Sequence, residues 1–397
     1  MKRALLAVIT ALILATPSAA ETVEKSFPVG GGGKLVIDLE TGGSVTVTGS
    51  GRSEVHVVAS LRDYDPGVVD FAMSSSGSTV NITTKLRRRS HRESFSYEFE
   101  IQVPDRFDVS IDSMGGSLTI QEVEGRFTGE TMGGDLRLHS VRGQVNLTTM
   151  GGTVEVQDAF IDGSISTMGG SLSLVEVEGD LTAKTMGGNI RLDAVSGEVH
   201  AETMGGNVEQ TRSGRGRVSD GPVRLKTMGG QIKVDFAPEG ADVETMGGDI
   251  QLGTVAGFAR ATTMGGDIII REIDGRVDAT TMGGAINVTV ANGGGAANRD
   301  IDLESESGAI TLHVPEDLSM NLDVEIVWTR RHKAQPRIIS DFPLRIEEST
   351  EFEYDRQGHD GDRSKLITGA GSHLGGRNNV RIRTVNGDVR IIKDRVR

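Results

Sequence analysis

Thr/Ser-Met-Gly-Gly recurs ten times in this chain, with its methionines at Met114, Met132, Met150, Met168, Met186, Met204, Met228, Met246, Met264 and Met282. Eight of the nine intervals are 18 residues, and the ninth, Met204 to Met228, is 24. A fixed period of this length means one supersecondary unit stacked on copies of itself. Each copy is too small to bury its own apolar face, so the core forms only between neighbours.

Counting Met as position 1, position 5 is apolar in all ten copies, from Leu118 and Leu136 to Ile268 and Ile286. Position 7 is apolar in nine and polar only at Gln210, beside the long interval. This period-2 alternation predicts a β-strand with one buried face. Position 10 is Val or Ile at Val123, Val141, Val177, Val195, Val255 and Ile273. Glycine follows two residues later, at Gly125, Gly143, Gly179, Gly197, Gly257 and Gly275, and marks a second corner. A further alternating stretch, such as Val145-Asn146-Leu147-Thr148-Thr149, returns to the next Thr-Met-Gly-Gly.

Two Gly corners and short strands per 18 residues predict an all-β chain, a parallel β-solenoid (β-helix) with 18-residue rungs at the usual strand spacing of about 4.8 Å. The apolar positions do not follow a strict six-residue spacing, and parallel crossovers prefer the right hand, so a right-handed winding is expected. An antiparallel meander shares the periodicity and stays open as an alternative. Aromatics at only 4% and 54 glycines suit many tight turns better than one large enzyme core.

The expected organisation is a signal peptide at 1–20, an irregular β region and cap at 21–112, the regular solenoid at 113–290, and degenerate rungs with a cap at 291–397. Echoes of the repeat occur at Thr41-Gly42-Gly43, at Ser307-Gly308-Ala309-Ile310 and around Thr384 to Val389. The leader reading rests on Lys2-Arg3, the apolar run Ala4 to Ala15, and small residues up to Ala20. It implies an exported protein of the periplasm, cell surface or extracellular space. No later run reaches the roughly 20 apolar residues of a spanning helix, so no membrane span is expected.

There is no cysteine, hence no disulfide framework and no thiolate metal site. Formal net charge is −14. Loss of Lys2 and Arg3 with the leader leaves 40 basic against 56 acidic residues, or −16, which argues against nucleic acid as partner.

Several segments together resemble a known family. They are Ile101-Gln102-Val103-Pro104 leading into Ser117-Leu118-Thr119-Ile120, the glycine-punctuated repeats, Leu312-His313-Val314-Pro315, and the closing Val380-Arg381-Ile382-Arg383-Thr384. The pattern resembles the DUF4097 family of β-strand-repeat, adhesin-like proteins of bacteria, over most of residues 30 to 395. The resemblance implies a β-solenoid and a cell-envelope setting, and it carries no catalytic motif and no functional residue.

The Thr-Met-Gly-Gly column has two readings. In the structural one, Thr ends a strand, Met packs a corner and the glycines permit the turn; an exposed row of methionines is an oxidation liability, which favours burying them. In the binding one, Thr131, Thr149, Thr167, Thr185, Thr203, Thr227, Thr245, Thr263 and Thr281, with Ser113, form a hydroxyl ladder facing a regular surface such as a glycan or ice. Calcium rolls need Gly-Gly-x-Gly-x-Asp in each half-turn, whereas Asp here follows Gly-Gly directly and only at Asp135, Asp249 and Asp267. No metal or other cofactor is therefore expected.

Outward carboxylates at Glu122, Glu124, Glu176, Glu178 and Glu272 raise the class of β-helical polysaccharide enzymes. Alternating acids are also what any solvated strand shows. The eight histidines are scattered, and no phosphate loop, nucleophile elbow or zinc motif is present. Basic patches at Lys85 to Arg92, Arg212 to Arg217 and Arg330 to Lys333 would hold an acidic polymer if they converged. The reading is a non-catalytic structural or interaction protein of the envelope, with envelope polysaccharide or another envelope protein as partner. A periplasmic envelope-stress component and a polysaccharide-active enzyme are the alternatives.

Overall fold

In the computed structural model, which describes residues 21–30, 32–87, 96–211, 221–292, 298–354 and 363–394, the chain is all-β, and no helix occurs among the described residues. The leader falls outside them, as do Arg212 to Arg217 and the end of the Lys85 to Arg92 patch.

Each 18-residue repeat contributes two strand segments, and both pair in parallel with the repeats before and after. Leu136–His139 lies between Leu118–Gln121 and Val154–Thr167, with Leu136 opposite Leu118 and Val154. Arg142–Thr149 lies between Glu124–Thr131 and that same strand, Thr149 facing Thr131 and Thr167. The offset is 18 residues on both segments, so an antiparallel meander does not describe the repeats. Across the long interval Thr203 meets Thr227 and Val208 meets Ile232, an offset of 24. In the next tier the offset is 18 again, with Ile250 opposite Ile232.

The apolar positions face inward as the periodicity requires. Positions 5 and 7 are buried throughout the regular tiers and position 10 from Val123 to Val195 and again from Ala237 to Ile273, while Ala291 is half-buried. The returning segment adds inward pairs such as Val145 and Leu147, Ala201 and Val199, or Ala259 and Ala261. One continuous core runs the length of the ladder. Gln210, the polar exception at position 7, is buried too, and its Oε1 has no hydrogen-bond partner.

Both ends depart from chain order. At the first, Gly33–Leu39 and Ser44–Ser50 sit between two sets of parallel partners, Phe107–Ser113 with Leu118–Gln121 on one side and Thr79–Leu86 with Ser96–Pro104 on the other. Beyond these the pairing turns antiparallel, through Glu54–Arg62 and Glu21–Pro28 and through Val69–Ser76. At the second, Ile301–Ser305 pairs with Asn378–Val385, which pairs in parallel with Met320–Thr329. Arg363–His373 then runs antiparallel to that strand and to Arg345–Glu348. Antiparallel pairing thus covers both strand columns at the first end, and at the second it covers one while the other ends on the short parallel strand Ile338–Ser340 beside Val389–Asp394. Bare strand edges at these places would otherwise template further pairing.

Candidate functional surface

The Thr-Met-Gly-Gly corner sorts its four residues by strand parity. Val145, Leu147 and Thr149 share the inward face of one strand, so the threonine goes in and the methionine after it turns out. All nine threonines are buried, and the nine methionines other than the half-buried Met150 are exposed, from 43% at Met228 to 59% at Met114. That geometry agrees with the structural reading for the threonines, corrects it for the methionines, and corrects the binding reading. The methionines do not pack the corner, and the threonines do not present a hydroxyl ladder to solvent.

What the threonines do is hold one tier to the next. Thr149 Oγ1 donates to the carbonyl of Gly134 in the preceding tier at 2.7 Å and accepts from the N–H of Gly152 in its own at 3.3 Å. The same pair of bonds recurs at Thr167, Thr185, Thr203, Thr227, Thr245, Thr263 and Thr281. At Thr131 the donated bond, to Gly116, is 3.3 Å. Ser305 and Thr384 continue the column, donating to Gly284 and Gly308. The sequence echoes at 307–310 and 384–389 are therefore further tiers of the same ladder, although Glu306 and Val385 replace methionine there.

The two glycines are not equivalent. A Cβ on Gly248, the second of its corner, would stand 2.0 Å from the Gly230 carbonyl oxygen, and Gly152, Gly188, Gly206 and Gly284 are as tight. A Cβ on Gly247, the first, would meet nothing nearer than 3.4 Å, and one on Gly133 would meet open space. The first glycines lie exposed beside the methionines from Gly133 onward. From Gly169 to Gly265 their N–H groups donate to the methionine carbonyl of the preceding tier, as from Gly187 to Met168 at 3.1 Å and Gly205 to Met186 at 3.0 Å. The corner is thus stacked as tightly as the strands, and its outer surface is a straight Met-Gly strip.

Residues flanking the strip are engaged within the stack. Asp135 Oδ1 accepts from the Thr153 N–H at 2.9 Å, and Asp249 and Asp267 bind the next tier's backbone in the same way, as do Asn189 and Asn207. The Thr153 N–H is the main cause holding the Asp135 carboxyl below its ordinary range. These aspartates therefore serve as tier-to-tier bridges. Sequence reasoning missed this role, although Asp, Asn or Ser at position 4 was the signal for it. On the other flank Lys184 pairs with Glu202 at 3.1 Å and Lys226 with Glu244 at 2.9 Å. Near the first tiers the strip borders a shallow depression of about 300 Å³ lined by Asp38, Glu40, Asp112, Glu130, Met114 and Met132, among others.

The carboxylates proposed for an enzyme do not converge on a groove. Glu122, Glu124 and Glu272 are exposed, and Glu124 pairs with Arg106 at 3.2 Å. Glu176 is held above its ordinary range by a hydrogen bond to and the charge of Asp158, with Asp193 adding to it. Among the described residues no group of three or more His, Asp or Glu could hold a metal ion. Among the described residues the basic groups of two patches lie far apart. Lys85 belongs to a strand at one end of the ladder, and Arg330 to Lys333 follow Met320–Thr329 at the other.

The chain matches no known family model and no curated protein. Among solved structures it is similar to a putative cell adhesion protein from Clostridium sporogenes, at 8% identity over 94% of this chain and 100% of that one, with a TM-score of 0.18. A putative lipid binding protein from Parabacteroides distasonis aligns at 11% identity over 68% and 97%, TM-score 0.32. A putative adhesin from Bacteroides fragilis aligns at 14% over 75% and 98%, TM-score 0.20. Superpositions this loose leave the argument about function to the chain's own geometry.

Proposed function

We propose that this chain is an exported, non-catalytic parallel β-solenoid, wound right-handed, that serves as a structural and interaction protein of the bacterial cell envelope in the manner of the DUF4097 family. Residues 1–20 are its signal peptide, 21–112 its first cap, 113–290 the regular solenoid, and 291–397 the closing tiers and cap. The observation that carries the reading is the unbroken tier-to-tier register of the corner, which sets a straight, exposed Met-Gly strip along one edge of the stack. Such a strip meets a repetitive or extended partner better than a small substrate, for which a concave, mostly apolar pocket is the usual site. An envelope polysaccharide or another envelope protein is the partner class.

The test is retention of purified full-length mature protein on polysaccharide, peptidoglycan and membrane-protein fractions, scored together with release of sugar fragments. Retention without fragments is the expected result, and no retention on any fraction would end the proposal. The enzyme alternative has one observation in its favour, the Glu176 carboxyl raised by Asp158. Fragment release that is lost in Glu176→Gln would establish it in place of the interaction reading.

A further inference from the structure

The fold accounts for two of the four repeated residues and leaves the other two unexplained. Thr is required by its two hydrogen bonds and the second glycine by its 2.0 Å approach to the tier below. Nothing in the packing requires methionine at an exposed position, nor glycine at the first site, where a Cβ has room. Copying alone does not explain them. The neighbouring outward positions have diversified, to Asp, Thr, Ser, Asn, Gln and Ala after Gly-Gly and to Glu, Thr, Ser and Lys before Thr, while methionine stands through all ten regular tiers and gives way in the end tiers, to Glu306 and Val385.

We propose that the methionine column binds soft monovalent metal ions, Cu(I) or its analogue Ag(I), between thioethers of successive tiers. Adjacent methionine backbones are one hydrogen-bonded tier apart, about 4.8 Å. Two collinear metal–sulfur bonds of about 2.3 Å each span roughly 4.6 Å, so digonal coordination between neighbours fits the repeat of the ladder. Three rotatable bonds let each thioether reach up or down the column. The exposed first glycines leave the side of the strip open, so no side chain from that position screens the sulfurs.

The ligand chemistry selects the ion. Neutral thioethers favour Cu(I) over the hard or borderline divalent cations, which seek carboxylate and imidazole. Hard ligands that flank the strip along its length are committed within the stack, Asp135, Asp249 and Asp267 to backbone N–H groups and Glu202 and Glu244 to lysines, and the carboxylates Asp38, Asp112 and Glu130 gather only beside Met114 and Met132. The acidic depression beside Met114 and Met132 favours a cation at the strip's first end. This inference does not rest on the partner proposed above, and either can fail without the other.

The test titrates full-length mature protein anaerobically with Cu(I) against a competing chromophoric chelator, and in air with Ag(I) by calorimetry. The expected capacity is about one ion per two methionines, with sulfur-only coordination in X-ray absorption. Replacing Met186, Met204, Met228 and Met246 with leucine, which leaves buried positions untouched, is expected to lower capacity by roughly two fifths with an unchanged melting curve. A parent protein that leaves Cu(I) with the chelator, equal capacity in parent and variant, or nitrogen and oxygen ligands in the absorption spectrum would each overturn the proposal. Zn(II) is expected not to compete.

Discussion

Each corner of the stack has an inner and an outer half, and the two obey different rules. On the inner half Thr245 and Gly248 are fixed by contacts, two hydrogen bonds that call for a hydroxyl at Thr245 and a carbonyl 2.0 Å from any Cβ at Gly248. On the outer half Met246 and Gly247 recur through all ten Thr/Ser-Met-Gly-Gly copies with no contact that demands them, and give way to Glu306-Ser307 and Val385-Asn386 in the end tiers. The comparison teaches that repetition in a stacked protein has two separable sources. One is the requirement that every tier fit the tier below it, and the other is whatever the outer surface is used for.

The largest effect that would break this division lies at the core beside the corner. Ile250 is fully buried between Ile232 and Ile268, and Ile250→Asp is expected to cost roughly 4 kcal/mol by burying an unpaired charge. The outward neighbour Gln251→Asp is expected to cost under about 0.5 kcal/mol. Equal melting temperatures for the two would remove position 5 from the core. Next comes the glycine pair. Gly248→Ala is expected to lose about 3 kcal/mol, because the obstructing atom is backbone in a ladder and cannot move aside. Gly247→Ala is expected to lie within about 0.5 kcal/mol of the parent in chemical denaturation. Similar losses at both would show that the outer glycine is structural after all.

The threonine and methionine sharpen the same contrast at smaller scale. Thr245→Val keeps the shape and removes the hydroxyl, leaving the Gly230 carbonyl and the Gly248 N–H without that partner, for an expected loss of about 2 kcal/mol. Met246→Leu is expected to be neutral within about 0.5 kcal/mol. At Gln210 the direction reverses, since a buried amide oxygen without a partner occupies a column that is aliphatic elsewhere. Gln210→Leu is expected to stabilise by about 1 kcal/mol, read as a higher denaturation midpoint.

Much of this was legible in the sequence, because apolar residues at positions 5, 7 and 10 report burial directly through period-2 alternation. The orientation of the corner was legible too, but from parity alone. Val145 and Leu147 set the inward face, and Thr149 is in phase with them while Met150 is not. The oxidation liability of exposed methionine argued for burying it, and that argument lost to parity because the strand continues into the corner. The order of the end tiers was not legible. That residues 33–50 sit between 79–104 and 107–121 depends on long-range pairing, and irregular strands carry no repeat from which to read a register.

The smallest expected effect tests whether the flank of the strip belongs with the inner half or the outer. Asp135, Asn189, Asn207, Asp249 and Asp267 occupy one column and make the same bond to the next tier's N–H, as Ser171 does at 3.3 Å, so the bond needs a side-chain oxygen acceptor and not a charge. Asp135→Asn is then expected to be nearly neutral at pH 7, and Asp135→Ala to cost under about 1 kcal/mol at this partly exposed site. The pH dependence separates bond from charge. The Asp135 carboxyl lies below its ordinary value, chiefly through the Thr153 N–H, with Arg137 also contributing. A lowered acid stabilises the fold above its unfolded-state pKa, and that contribution fades as pH falls through the lower folded-state value. The parent is therefore expected to lose slightly more stability than Asp135→Asn on acidification below the ordinary carboxylate range, with the two converging at neutral pH. Parallel acid profiles would mean that the charge contributes nothing, and that this column holds its tiers by hydrogen bonding alone, as the threonines do.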